Sequence, residues 1–127
     1  MHTVTAPSAP GPRYAAWGML AAIDVHGCDR ARLADPDSIR RFVPAVIAAI
    51  GMRAHGPLRL DRFGDDELAG WSALQFIETS SITVHADETW CRCFVDIFSC
   101  RAFVADHAAA IAEAAFGGTA RARVLER

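Results

Sequence analysis

The sequence contains no lysine: all 13 basic side chains are arginines, set against 15 carboxylates. The arginines are scattered and the net charge is -2, so no basic face forms and nucleic-acid binding is not expected. No run approaches the ~18 apolar residues that a membrane span needs, which excludes a spanning helix. The first thirteen residues (MHTVTAPSAPGPR) lack the apolar stretch of a secretory signal and read as a disordered leader, residues 1–13. Cysteine is sparse, with Cys28, Cys91, Cys93 and Cys100. With no signal ahead of them, a disulfide framework is not expected. The expectation is a cytoplasmic protein with reduced thiols, in which a special cysteine needs a reactive or metal-binding reason.

What is present suits one globular domain, residues 14–127, with 52% hydrophobic and 22% charged residues in a chain of 127. Tyr14 to His26 is apolar and closed by Gly27, a buried strand by length, although its alanines leave a helix open. Asp35-Pro36 supplies an N-cap followed by proline at the first helical position. Ile39, Phe42, Val43, Val46, Ile47 and Ile50 follow at helical spacing, and Gly51 stops the helix. Pro44 inside this stretch predicts a kink or a later start.

Leu58 to Phe63 alternates as a half-wet strand, and Gly64 to Gly70 is an acidic loop. Trp71–Glu78, Ile82–His85 and Cys93–Ser99 are rich in β-branched and aromatic residues and read as three more strands. Phe103 to Phe116 has helical periodicity and ends at Gly117-Gly118; Ala120 to Leu125 reads as a short last strand. This order predicts an α/β (α+β) two-layer sandwich, a mainly antiparallel sheet with two helices on one face. The uncovered sheet face predicts a homodimer formed through or beside the sheets.

The chemistry is concentrated in residues 71–100, WSALQFIETSSITVHADETWCRCFVDIFSC. If Ile82–His85 and Cys93–Ser99 form a hairpin turning near Trp90, paired residue numbers sum to about 180. That register sets Ser80 opposite Cys100, within the ~5.5 Å of cross-strand partners. Ser72 begins the preceding strand and reaches the same region. His85 lies an odd number of residues from Ser80 and faces the other side of the sheet, so a bulge, or movement after a chain break, is needed to bring the two together.

The segment resembles the short prokaryotic S-adenosylmethionine decarboxylases, pyruvoyl-dependent enzymes made as proenzymes. In that family a serine is followed five residues later by histidine, as in Ser80-Ser81-Ile82-Thr83-Val84-His85. A Val-Asp-(Val/Ile)-(Phe/Tyr)-Thr-Cys motif ends fifteen residues beyond the histidine, as in Val95-Asp96-Ile97-Phe98-Ser99-Cys100. A further serine stands eight residues before the processed one, where this chain has Ser72. Fainter likenesses are Asp24-Val25-His26-Gly27-Cys28-Asp29, the closing Val124-Leu125-Glu126-Arg127, and Phe63 for the Phe of the family's pre-loop motif, with this loop about three residues longer.

The resemblance implies that Ser80 attacks the Thr79 carbonyl and that the chain breaks between Thr79 and Ser80. Ser80 is left as a pyruvoyl group, the cofactor. Ser72 assists the first step, His85 is the base for elimination, and Cys100 is the proton donor in decarboxylation. It further implies a small-molecule substrate, S-adenosylmethionine, a place in polyamine biosynthesis, and a site completed in a homodimer.

The chain departs from the family at three places. Thr79 stands where the family has Glu, with Glu78 one step earlier; Ser81 stands where it has His; and Thr89 occupies the position of the ribose-binding Glu, with Glu88 beside it. Phe63, Glu88 and Thr89 are therefore the expected substrate contacts. Asp65-Asp66-Glu67 and Asp87-Glu88 keep open a cationic substrate such as ornithine or arginine, and an unprocessed regulatory homologue is a further alternative. A metal-binding module of His85, Cys91, Cys93 and Cys100 lacks the C-x2-4-C spacing usual in zinc sites, and no metal is expected.

Overall fold

The computed structural model describes residues 17–127; the expected leader and the first residues of the expected opening strand lie outside the described residues. Strand β1 spans Met19–His26, a short helix α1 Arg30–Ala34 and a longer helix α2 Pro36–Ala49. Strands β2 (His55–Phe63), β3 (Gly70–Ile77), β4 (Ser80–Asp87) and β5 (Arg92–Ser99) follow, then helix α3 (Ala105–Phe116) and strand β6 (Thr119–Glu126). The six strands form one sheet in the order β2-β3-β4-β5-β1-β6, and every neighbouring pair is antiparallel. The two-layer α/β sandwich expected from the element order is the fold. The sequence reading had two helices; α1 is an additional single turn, capped by the Asp29 side chain, which accepts from the Ala31 N–H.

Helix α2 forms as its sequence dictates. The Asp35 carboxylate accepts from the Asp37 N–H at 2.9 Å, and Pro36 occupies the first turn. Gly51, at φ +70, ends the helix: its N–H donates to the Ala48 carbonyl and that of Met52 to the Ile47 carbonyl, a Schellman pair. Pro44 does not interrupt the helix. It lies on the exposed face, where the carbonyl it leaves unpaired has access to water, while Phe42, Val43, Val46 and Ile47 are buried around it.

One face of the sheet carries the core. Ala21, Ile23 and Val25 of β1, Ile82 and Val84 of β4, and Val95 and Ile97 of β5 are buried with Leu33, Phe42 and Phe116 of the helices. Phe42 meets Phe116 at 5.1 Å between ring centroids, joining α2 to α3. Intervening strand residues point to the opposite, open face, so β1, β3, β4 and β5 each present one dry and one accessible side, while the edge strands β2 and β6 have no buried residue. Among the described residues no helix is long and apolar enough to cross a membrane.

The acidic loop contains one short 3-10 turn, Asp66–Leu68, and β2 starts three residues earlier than expected, with a shift of register between His55 and Arg59. The β3–β4 hairpin is tight: Ile77 pairs with Ser80, leaving Glu78 and Thr79 as its two turn residues. Glu78 has φ +59 while Thr79 keeps a negative φ, the sign pattern of a type II′ turn. That position favours glycine, so a glutamate there carries strain of about 1–2 kcal/mol.

Candidate active site

Ser80 opens β4 and is nearly buried, at 3% exposure. Its Oγ accepts a hydrogen bond from the Cys100 backbone N–H at 2.9 Å. Hydrogen bonds from Thr79 and Ser80 to the Cys100 thiol hold it below the usual thiol range. The expected meeting of Ser80 and Cys100 is therefore present, although the register behind it is one residue different, and Ser72, expected in the same region, lies on the opposite face beside His85. Ser81 pairs with Phe98 and Asp87 with Arg92, so paired numbers sum to 179 and Ser80 aligns with Ser99. The cause is a four-residue turn, Glu88 to Cys91, whose last residue is left-handed at φ +50. Cys100 reaches Ser80 from one step further on. It is held there because buried Ser99 donates its hydroxyl to the Arg101 carbonyl (2.6 Å) and accepts from the Arg101 N–H (3.1 Å).

The second group lies elsewhere. Ser72 and His85 are direct cross-strand partners, and His85 Nδ1 lies 3.0 Å from Ser72 Oγ. Both are on the open sheet face, in a cleft of about 430 Å³ that Arg59, Asp61, Phe63 and Thr83 also line. Phe63, at the end of β2, is 59% exposed and forms one wall. Sequence reasoning missed Asp61 and Arg59; their alternation with Phe63 on a half-wet strand was the available signal.

Ser80 and His85 do not meet within one chain. Ser80, Ile82, Val84 and Ala86 point into the core, whereas Ser81, Thr83, His85 and Asp87 do not. β4 pairs without a break with both neighbours, so it has no bulge to reverse this parity. Five residues along the strand add about 16 Å. The chain thus carries two half-sites, Thr79–Ser80–Cys100 at one end of the sheet and Phe63–Ser72–His85 on the open face toward the other.

Glu88 and Thr89, the other expected substrate contacts, lie in the β4–β5 turn and line a separate cleft with Arg30, Arg62 and Asp66, not the one that Phe63, Ser72 and His85 share. The Glu88 carboxylate is taken by Arg62, which donates through Nη1 to one oxygen and through Nη2 to the other at 3.1 Å. Arg30 grips the turn from below, donating to the carbonyls of Glu88 (3.1 Å) and Thr89 (3.2 Å). Nothing local in the sequence announced these pairings, because Arg30, Arg62 and Glu88 belong to three separate elements.

Among the described residues no group of three His, Cys, Asp or Glu side chains is placed to hold a metal ion. The four residues of the metal-module alternative do not converge: Cys91 and Cys93 lie at the turn end of β5, His85 is on the open face, and Cys100 follows the other end of β5.

A family model described as S-adenosylmethionine decarboxylase matches residues 20–127. The fold is similar to the crystal structure of the adenosylmethionine decarboxylase from Aquifex aeolicus VF5. That similarity has a TM-score of 0.68 at 14% identity, covering 86% of this chain and 88% of that one. No curated protein matches the chain in sequence.

Proposed function

Because the chain belongs to the S-adenosylmethionine decarboxylase family, we propose that it is a pyruvoyl-dependent decarboxylase that cleaves itself between Thr79 and Ser80 and acts on S-adenosylmethionine. The observation that carries this reading is the 2.9 Å hydrogen bond from the Cys100 N–H to Ser80 Oγ, with the Cys100 thiol beside Thr79 and Ser80. The residues fit the cofactor. The serine to be converted sits at the exit of a strained two-residue turn, its hydroxyl oxygen held by one donor, with an acidic thiol next to it.

In processing, the Ser80 hydroxyl attacks the Thr79 carbonyl carbon, and the peptide N–C bond gives way to an ester. Loss of the Ser80 Cα proton to a base then expels the Thr79 carboxylate, and hydrolysis releases ammonia from the new chain end. The left-handed Glu78 strains the peptide next to the one attacked, and cleavage relieves that strain. Pyruvoyl supplies an electron-accepting carbonyl for loss of CO2. Cys100 then delivers a proton to the former α-carbon.

His85 is the base and Ser72 its partner. Within one chain they lie across β4 from Ser80, so the β3–β4 turn must swing Ser80 out of the core for the two to meet, and a second copy packed open face to open face, about 10 Å away, completes the cleft around Ser72 and His85. An apolar row supports this packing: Phe76, Phe98 and Leu125 lie on the open face in one line across the sheet. Phe76 and Leu125 are 56% and 57% exposed, and Trp17 stacks on Phe98 at 5.3 Å.

A second reading of the substrate is favoured by one observation. Arg62 occupies the Glu88 carboxylate and Thr89 stands at the ribose-binding position, so a nucleoside loses its usual carboxylate partner. With Asp61 lining the cleft, only loosely paired with Arg59 at 3.9 Å, a basic amino acid such as ornithine or arginine is the alternative substrate for the same chemistry.

Intact mass under denaturing conditions, followed by CO2 release from S-adenosylmethionine, ornithine and arginine, tests both readings. Fragments 1–79 and 80–127, the second carrying pyruvoyl, support the proposal; a persistent 127-residue chain points to an unprocessed regulatory homologue.

A further inference from the structure

Three of the four cysteines gather at one corner of the molecule, at the opposite end of the β4–β5 hairpin from Ser80, and none has a part in the chemistry above. Cys28 leads from β1 into α1, Cys91 closes the β4–β5 turn, and Cys93 is the second residue of β5. The Cys28 N–H donates to the Cys91 carbonyl at 2.8 Å. With standard bond lengths, one such bond keeps the two Cα atoms within about 6 Å, inside the roughly 4.4–6.8 Å that disulfides span. Each thiol has only a weak sulfur hydrogen bond, Cys28 to the Val25 carbonyl at 3.5 Å and Cys91 to the Glu88 carbonyl at 3.8 Å. Rotation about χ1 gives these up at little cost. Cys91 is partly exposed, whereas Cys28 is buried at 6%. Oxidant therefore reaches Cys91, with Cys28 behind it.

We propose that Cys28 and Cys91 are a redox site that closes to a reversible disulfide under a hydroperoxide. The Cys91 thiolate attacks the O–O bond, forming a sulfenic acid and expelling hydroxide or alkoxide. The Cys28 thiolate then attacks that sulfur, the S–S bond forms, and hydroxide leaves as water. Two thiols and one hydroperoxide become one disulfide, one water, and a second water or an alcohol. Cys93 is a poor partner for either. It has no exposed surface, burial pushes its thiol well above the usual range, and two residues along a strand put it about 6.6 Å from Cys91, at the outer limit for a bridge.

The bond has a structural consequence. It moves Cys91 Sγ off the Glu88 carbonyl and ties the β1–α1 loop to the turn that holds Glu88 and Thr89, which Arg30 already grips. Cys28 precedes the Thr79–Ser80 bond and Cys91 follows it. In a processed molecule the disulfide joins the two fragments covalently, and that consequence alone rests on the cleavage reading.

The test treats the purified full chain with hydrogen peroxide at mildly alkaline pH, since burial and the neighbouring Cys91 push Cys28 up to about 11. Free thiols are then blocked and unreduced peptides mapped by mass. Expected are a Cys28–Cys91 peptide, a loss of two hydrogens from the intact mass, and reversal by dithiothreitol. The link persists in Cys93→Ala and is lost in Cys91→Ser. A dominant bridge to Cys93, Cys91 oxidised to sulfinic acid with Cys28 free, or no oxidation of either overturns it. Ser80→Ala, which stays uncut, forms the same link, so failure of cleavage and failure of the redox site are told apart.

Discussion

Cys100 gives its backbone N–H to the hydroxyl oxygen of Ser80 at 2.9 Å, although the strand register aligns Ser80 with Ser99 instead. The contact thus depends on the turn beyond β5. The Ser99 hydroxyl clamps Arg101 there, and Arg101 in turn donates to the Gly51 carbonyl at 2.9 Å. The α2 C-terminus, the end of β5 and the expected cleavage turn are mechanically one unit.

Ser80→Ala removes the attacking oxygen. The variant is expected to remain one 127-residue chain by denaturing mass spectrometry while wild type divides at residue 80. Loss of a single hydrogen bond costs about 1 kcal/mol, so the variant stays folded by circular dichroism.

His85→Ala is expected to slow cleavage by about 10²–10⁴-fold, the usual contribution of a general base. His85 is exposed and its contact to Ser72 is solvent-facing, so the melting temperature changes little. Ser72→Ala gives a smaller slowing. A time course of fragment appearance separates the two.

Disruption of the apolar row tests the second copy. Phe76→Asp puts a charge on an exposed position of the open face and is expected to leave each chain folded but convert a dimer to monomer by light scattering. In the dimer reading cleavage fails with it. Rapid cleavage in a monomeric variant would falsify assembly of the site from two copies.

Thiol reactivity follows the surroundings of each cysteine. In unprocessed protein Cys100, held below the usual range by Thr79 and Ser80, alkylates before Cys28 and Cys93, which burial pushes up. Thr79→Val removes the larger contribution and shifts the Cys100 reactivity profile to higher pH. Peptide-resolved iodoacetamide kinetics across pH measure both; an unmoved profile in Thr79→Val sinks the assignment.

Alkaline stability reports on the buried thiols with little interference, because the chain has no lysine and one tyrosine. A pKa raised by folding stabilises fully below the unfolded value and loses that contribution as pH rises through the folded value. For Cys28 the window runs from about 9 to about 11, and Cys93 shifts in the same direction. The melting temperature is expected to fall across that window, and less steeply in Cys28→Ala. A flat wild-type curve would contradict the protection inferred for both thiols.

Local signals carried much of the architecture. Asp35-Pro36 and Gly51 bounded α2 because capping and left-handed backbone are properties of single residues. Parity along β4 assigned Ser80 and His85 to opposite faces, since side-chain alternation needs no knowledge of the neighbours. The spacing of Ser72, Ser80, His85 and Cys100 carried the family resemblance. One-turn α1 was invisible, because five residues give too little periodicity. The hairpin register was off by one, because the left-handed Cys91 sets the length of a turn that composition does not fix.

The sequence by itself determined the strand and helix faces, the helix ends and the order of the reactive residues along the chain, all consequences of backbone geometry repeated over a few residues. Only the tertiary structure decided which strand lies beside which, β1 being inserted between β5 and β6. It alone gave Glu88 to Arg62, brought Cys28 against Cys91, and kept the Ser80 and His85 half-sites apart in one chain. Those outcomes depend on closing long loops around a common core, and no short stretch of sequence encodes the distance between residues that far apart.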